Sequence, residues 1–266
     1  MKEQYSPNIR VMLDAVRKAS RGLIRDFGEL ENLQVSKKGP KDFVSSADLR
    51  AEETLIRELK KARPDYSILS EESGYIKGET EEYCWIIDPL DGTTNFLHSY
   101  SFFCTTIALQ KTQYNGKKEI IAAVTAAPIL KEIFWAEKGF GVWLESSEQT
   151  GSFKLRVSAR DKINESLLAI GSYIRDSHDE LTASVAATRC TGSTALALAY
   201  TAAGRFDSFI QNDCYAWDMA AGILFINEAK GAVSDFGGKQ DMFASSSIIA
   251  SNADLHPLIL KKIAKK

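Results

Sequence analysis

Between Phe103 and Leu144 the chain carries four runs of β-branched and aromatic residues: Phe103–Leu109, Ile120–Ala127, Glu132–Glu137 and Gly141–Leu144. Gly116, Pro128 and Gly139 stand between them as turn residues. The pattern predicts an antiparallel meander, and a meander must bury its apolar face against another layer. That layer is available upstream. Ile9, Met12, Leu13, Val16, Leu23, Ile24 and Phe27 fall at helical spacing over 9–27, and Gly28 is a stop signal. A second helix is expected over 47–62, with Ser46 as its cap and Pro64 beyond its end. The stretch from Ser36 to Asp42, with Lys37 and Lys38, reads as a polar, mobile loop. Tyr66–Leu69 and Cys84–Ile87 read as strands flanking an acidic loop over 71–83.

After the polar stretch Ser146–Ser152 the texture changes. Leu167–Ile170, Phe206–Ile210, Ala232–Asp235 and Ile248–Ala250 read as strands. Residues 176–187, 193–203, Met219–Glu228 and Leu255–Lys265 read as helices. Alternating strands and helices indicate a layered α/β half. The expected division is an α+β domain over 1–148 and an α/β domain over 149–266.

The segment Trp85 to Phe96, WIIDPLDGTTNF, concentrates the chemistry. An apolar strand delivers Asp88 at its end, and Asp91 follows three residues on. Gly92 frees the backbone for a tight approach, and Thr93, Thr94 and Asn95 suit a helix start. Two acids beside helix N–H groups suit a hard divalent cation, above all Mg²⁺, next to a phosphate. That pairing is what phosphoryl transfer requires. A second acidic pair, Glu71-Glu72, follows Ile68-Leu69. If the two strands are neighbours, Glu71 meets Asp88. Asp218, after Trp217, opens another helix, either as a cap or as a group reaching across a cleft.

Composition narrows the classes. With 33 basic against 35 acidic residues and a net charge of −2, there is no global positive field for nucleic acid, though a local patch stays open. No apolar run approaches the roughly 20 residues of a membrane span. The charged N-terminus does not read as a secretory signal, and Cys84, Cys104, Cys190 and Cys214 are scattered; a reduced, cytoplasmic protein is expected. His98, His178 and His256 are too few for a histidine-rich metal site, so any metal would have oxygen ligands.

The chain resembles the inositol monophosphatase family of lithium-sensitive, magnesium-dependent phosphatases. The resemblance rests on WIIDPLDGTTNF, on Trp217-Asp218-Met219-Ala220-Ala221-Gly222 followed by Glu228-Ala229-Lys230-Gly231, and on Asp42-Phe43-Val44 running to Asp48. Ser70-Glu71-Glu72-Ser73 also matches, and Gly192-Ser193-Thr194-Ala195 and Gly204-Arg205-Phe206-Asp207 match more weakly. It implies an α-β-α-β-α sandwich of the inositol monophosphatase/fructose-bisphosphatase type, with the site between the halves. It implies that Glu71, Asp88 and the Leu90 carbonyl hold one Mg²⁺, and that Asp88, Asp91 and Asp218 hold a second. A third, weaker ion would sit at Glu71. Asp48 and Thr93 would orient and deprotonate the attacking water, and the Gly92 and Thr93 N–H groups would cradle the phosphate. Substrate contacts would come from Thr94, Gly192, Ser193, Thr194, Gln211 and Asp218.

Two positions depart from the family pattern. Gln211 stands where relatives usually place a glutamate that binds sugar hydroxyls, and Ser193-Thr194 add hydroxyls where small residues are common. Asp213 either compensates for Gln211 or is a turn residue. The resemblance therefore implies phosphate monoester hydrolysis and, as a further expectation, a homodimer. Fructose-1,6-bisphosphate, other sugar phosphates and a dinucleotide 2′-phosphate are alternative substrates. Contact with RNA or the transcription machinery, as in some bacterial relatives, is the alternative of a different class.

Overall fold

Ser6 accepts a hydrogen bond from the Ile9 N–H at 3.2 Å, and Pro7 sets the first turn; helix α1 then runs Pro7–Phe27. The computed structural model describes residues 5–30, 35–39, 42–147, 151–171 and 179–263, with backbone alone at 35–39, 42–44 and 179. Strands β1 (Val35–Gly39) and β2 (Asp42–Ser45) pair antiparallel, and α2 follows at Ser46–Ala62. Then come β3 (Tyr66–Ser70), β4 (Gly74–Ile76), β5 (Thr80–Asp91), the short α3 (Thr93–Leu97), β6 (Cys104–Thr112), β7 (Lys118–Ala127), β8 (Glu132–Glu137), β9 (Gly141–Ser146) and β10 (Ser152–Lys154). They form an eight-stranded sheet in the order β10-β9-β8-β7-β6-β5-β3-β4, of which β6 to β9 are the expected meander.

The rest of the chain alternates: β11 (Leu167–Ile170), α4 (Asp179–Thr182), β12 (Ala187–Cys190), α5 (Thr194–Ala202), β13 (Ser208–Asn212), α6 (Ala216–Glu228), β14 (Ala232–Ser234), α7 (Met242–Ser245), β15 (Ser247–Ser251) and α8 (Leu255–Ile263). Its five strands order as β12-β11-β13-β15-β14.

The cores define the layers. Met12, Val16, Leu55 and Leu59 of α1 and α2 pack on Trp85, Ile87, Ile107 and Val124 of the large sheet. The other face of that sheet, with Ile86 and Ala108, meets Leu196, Leu198 and Phe225 of α5 and α6, which also cover Phe209 and Ile248 of the small sheet. Leu255 and Ile259 of α8 close the outer face over Leu168, Ile210 and Ile249. The order is α-β-α-β-α. Helices α5 and α6 are apolar on nearly every side because a sheet covers each of their faces.

Four local expectations are corrected. The stretch at 36–42 includes parts of two paired strands, β1 and β2, rather than a mobile loop; the side chains of Lys37 and Lys38 lie outside the described residues. Ser45, not Ser46, caps α2, because only from Ser45 does the third helical residue, Asp48, reach back to the cap N–H at 2.9 Å. The acidic loop 71–83 holds β4 and the start of β5; Gly74, at φ +67°, turns the chain back onto β3. The helix expected over 176–187 shrinks, among the described residues, to Asp179–Thr182, and Ala187–Cys190 is a parallel edge strand on β11. Residues 172–178 lie outside the description.

One irregularity positions the chemistry. Along β5 and β6 the pairing steps from Asp88↔Thr106 to Asp91↔Cys104, three residues against two. In an even pleat, residues three apart face opposite sides. The extra residue is a bulge, which suits Pro89. Trp85 and Ile87 face the α1–α2 core, and past the bulge so does Leu90, while Asp91 turns to the side of α5.

Candidate active site

The carboxyls of Glu71, Asp88, Asp91 and Asp218 lie within electrostatic reach of one another. Strands β3 and β5 run parallel, with Ser70 level with Ile87, so the residues just beyond them come together. Glu71 and Asp88 share a side-chain hydrogen bond. Asp218, on the third residue of α6, accepts the Tyr215 N–H at 2.7 Å, half of the reciprocal geometry of a helix start. Burial pushes the Asp88 carboxyl well above the ordinary carboxylate range, and Glu71, Asp91 and Asp218 push it further. Asp218 is raised by burial, then by Asp91 and Glu71. A carboxyl group resists losing its proton beside carboxylates, and these groups stand beside one another.

Asp91 is tied across the molecule. Its Oδ2 accepts Ser193 Oγ at 2.6 Å and the Ala195 N–H at 2.7 Å, and its Oδ1 accepts the Thr194 N–H at 3.2 Å. The first N–H groups of α5 are thus satisfied by an acid from the other sheet. Burial raises Asp91, and the Ser193 and backbone donors oppose that rise. Gly92, at φ +97°, lies so close to the facing chain that a Cβ would stand 3.2 Å from Phe103 Cβ and 3.3 Å from the Gly192 carbonyl oxygen. Only glycine accepts both that conformation and that approach.

Asp48 and Thr93 also meet. Thr93 Oγ1 donates to Asp48 Oδ1 at 2.9 Å, with the Leu90 carbonyl oxygen a second acceptor at 3.1 Å. Asp48 is 1% exposed. Burial raises its carboxyl, opposed by hydrogen bonds from Ser45 and Thr93.

The donor set fits a hard cation. Every group is an oxygen, and the charges acting most strongly on Asp88 and Asp218 are other carboxylates. A buried cluster of unneutralised acids is costly unless a cation joins it. Among the described residues, no three acidic, histidine or cysteine side chains are already drawn together around one point; Asp88, Asp91 and Asp218 instead spend oxygens on N–H and hydroxyl donors.

The model of the inositol monophosphatase family matches residues 4–266. This chain belongs to that family. It is therefore a phosphoric monoester hydrolase, and its layered fold is that of its solved relatives. The inositol-1-monophosphatase of Caulobacter vibrioides is 44% identical over 263 residues, covering 95% of this chain and 99% of that one. The Nus factor SuhB of Pseudomonas aeruginosa is 37% identical over 270 residues, covering 97% and 96%. Among solved structures, the extragenic suppressor protein suhB of Bartonella henselae superposes with a TM-score of 0.90 at 42% identity, covering 98% of this chain and 99% of that one.

Against this family frame, the expected substrate residues divide. Thr94 and Gly192 are exposed, and Thr194 is half-buried. Ser193 was expected to face a substrate; it is instead 1% exposed with its hydroxyl on Asp91. Gln211 is 6% exposed and donates its amide to the Asn212 carbonyl at 2.9 Å. Its Oε1 and Thr194 Oγ1 both crowd Gly171, where a Cβ would come within 2.7 and 2.8 Å of them. Asp213 is an exposed turn residue at φ +55°, so the turn reading holds. Two roles escape the sequence reading, in which Asn95 is only a helix-start residue and Glu52 is not singled out. Asn95 donates to the carbonyls of Phe102 and Thr191, at 2.7 and 2.8 Å, and so joins the segment before β6 to the one before α5. Glu52, one helical turn beyond Asp48, accepts donors from the loop that carries Glu71. Its i, i+4 spacing from Asp48 was the available signal.

Proposed function

We propose that this enzyme hydrolyses small alcohol and sugar phosphates with Mg²⁺, inositol 1-phosphate being the default substrate. The observation that carries the reading is the mutual electrostatic influence of Glu71, Asp88, Asp91 and Asp218, with Thr93 of the hydrogen-bonded Asp48–Thr93 pair two residues beyond Asp91. In this reading Glu71, Asp88 and the Leu90 carbonyl hold one ion. Asp88, Asp91 and Asp218 hold a second, and Glu71 serves a weaker third. The bulge supports Leu90 in this role, because an extra residue leaves the ladder's pairing. When bound, the ions supply positive charge against the phosphate oxygens and acidify water.

The protein's own groups do the rest. Thr93 donates its hydroxyl in a hydrogen bond to Asp48, so a lone pair of its oxygen is free to accept a hydrogen bond from an incoming water. As the water's proton passes to the Thr93 oxygen, Asp48, raised by burial, takes up the proton that Thr93 held. The Gly92 and Thr93 N–H groups hold the phosphate, and Thr94, Gly192, Thr194 and Gln211 line the alcohol side. Ser193 acts through Asp91.

The test is phosphate release from inositol 1-phosphate, glycerol 2-phosphate, fructose 1,6-bisphosphate and NADP, with and without Mg²⁺. Turnover should require Mg²⁺ and fall with Li⁺, a small hard cation lacking the second charge. Hydrolysis that survives chelation and dialysis would sink the reading. A homodimer is part of the same proposal, as is a cytoplasmic location, which four unpaired cysteines support. No described helix is long and apolar enough to cross a membrane. A second role at the transcription machinery is favoured by the relatives named Nus factor; pull-down with a turnover-dead variant separates it from catalysis.

A further inference from the structure

Glu52 is 5% exposed, on the face of α2 that also carries Asp48. Its Oε1 accepts the Ser73 N–H at 2.9 Å and the Ser70 hydroxyl, and its Oε2 accepts the Ser73 hydroxyl at 2.7 Å. The donors are two hydroxyls and one N–H rather than a lysine or arginine. Burying a carboxylate without a cation is unfavourable, and a well-packed apolar side chain would suit a core helix better. What the arrangement fixes is a loop. Ser70 ends β3, Gly74 pairs with it at the start of β4, and residues 71–73 span the turn. Glu52 grips that turn at both ends, and Glu71, between its two anchor residues, reaches Asp88.

We infer that Glu52 is a positioning residue: it holds the 70–73 loop so that Glu71 is presented to the cation at a fixed place and angle. The inference rests on the reading of Glu71 as a metal ligand. One turn of α2 thereby sets two parts of the site, Asp48 for Thr93 and Glu52 for Glu71. A group that orients a ligand is felt as metal affinity, typically about ten- to a hundredfold when removed.

The experiment is calorimetric titration of the full-length, metal-free protein with Mn²⁺ and with Mg²⁺, without substrate. It compares wild type, Glu52→Gln, Ser73→Ala, the double variant and Glu71→Gln. Glu52→Gln turns one acceptor into a donor that cannot receive a serine proton, with little change of shape. It should weaken ion binding about tenfold, with Ser73→Ala weaker in the same direction. The double variant should lose little beyond Glu52→Gln, because both break one assembly. The Mg²⁺ concentration for half-maximal turnover should rise by a similar factor. Unchanged titrations for Glu52→Gln and Ser73→Ala, with Glu71→Gln weakened, would overturn the inference and leave the ligand reading standing. A loss of melting temperature alone, at unchanged affinity, would overturn it equally and make Glu52 a packing residue. No effect from Glu71→Gln would overturn both. If Glu52→Gln does not fold, Ser73→Ala carries the same decision.

Discussion

Asp91 and Asp218 look equivalent as ligands, and their surroundings separate them. Asp218→Asn keeps an oxygen for the Tyr215 N–H and removes a charge from a mutually repelling group. Asp91→Asn breaks up three contacts at the start of α5, since an amide has one acceptor oxygen where the carboxylate uses two. Both variants should lose most of their turnover. In the metal-free state Asp218→Asn should melt at or above wild type, whereas Asp91→Asn should lose about 1–2 kcal/mol, the usual worth of a helix cap. Calorimetric melts in EDTA check the difference, and equal melting of the two would remove Asp91 from its helix-start role. Gln211→Glu is expected to raise kcat/KM for inositol 1-phosphate relative to glycerol 2-phosphate about tenfold, the gain of a charged over a neutral acceptor. An unchanged ratio would show that position 211 does not set preference. At this scale the acids were legible, because an apolar strand ending in Asp-x-x-Asp-Gly states its own chemistry. Ser193 was not, because its partner lies 102 residues away and a hydroxyl in a loop announces no direction.

In the layer between the sheets, α5 and α6 pack in close contact. Gly222 of α6 faces Leu198 of α5, where a Cβ would stand 2.5 Å from the leucine Cβ and 2.4 Å from its Cδ1. The glycine in the Trp217–Gly222 motif therefore serves helix contact rather than chemistry. Gly222→Ala should destabilise by about 1–3 kcal/mol through overpacking, lowering the melting point by about 2–4 °C per kcal/mol for a chain of this size. Wild-type melting would refute the close contact. Long periodic elements, such as α1 and the meander, could be read from the sequence. The β1–β2 pair and the edge strand β12 could not. Short strands with polar residues such as Lys37, Lys38 and Arg189 owe their form to a neighbour's backbone, which local composition does not encode.

At the scale of the molecule, the acid cluster links stability to pH and to cations. Asp88, Asp91 and Asp218 have folded values raised above their unfolded ones. The folded state then binds more protons than the unfolded state, so stability falls as pH rises from the ordinary carboxylate range through the raised values. Glu58 and Glu119, half-buried at the surface and held down chiefly by hydrogen bonds from Lys18 and Lys138, act in the opposite sense at lower pH. Chelated protein should therefore melt higher at pH ~5.5 than at ~7.5, and Mg²⁺ should abolish that difference by binding the ionised form. His256, held low by burial, acts in the opposite sense in this range, so a flat chelated profile in His256→Gln would mean that the carboxyls do not repel one another. The five-layer order was accessible mainly through family resemblance, since five layers arise from how two sheets share one pair of helices, and no single segment states that.

The hydrogen bonds from Thr194 and Ala195 to Asp91 also make those two amides natural reporters. They sit at the start of α5, across from the acid on β5 that they touch and outside the expected metal-ligand set. Any cation drawing charge from Asp91 alters the field at both protons. Their NMR resonances and exchange rates should consequently follow site occupancy in real time, without a substrate, a chromogenic leaving group or a turnover assay.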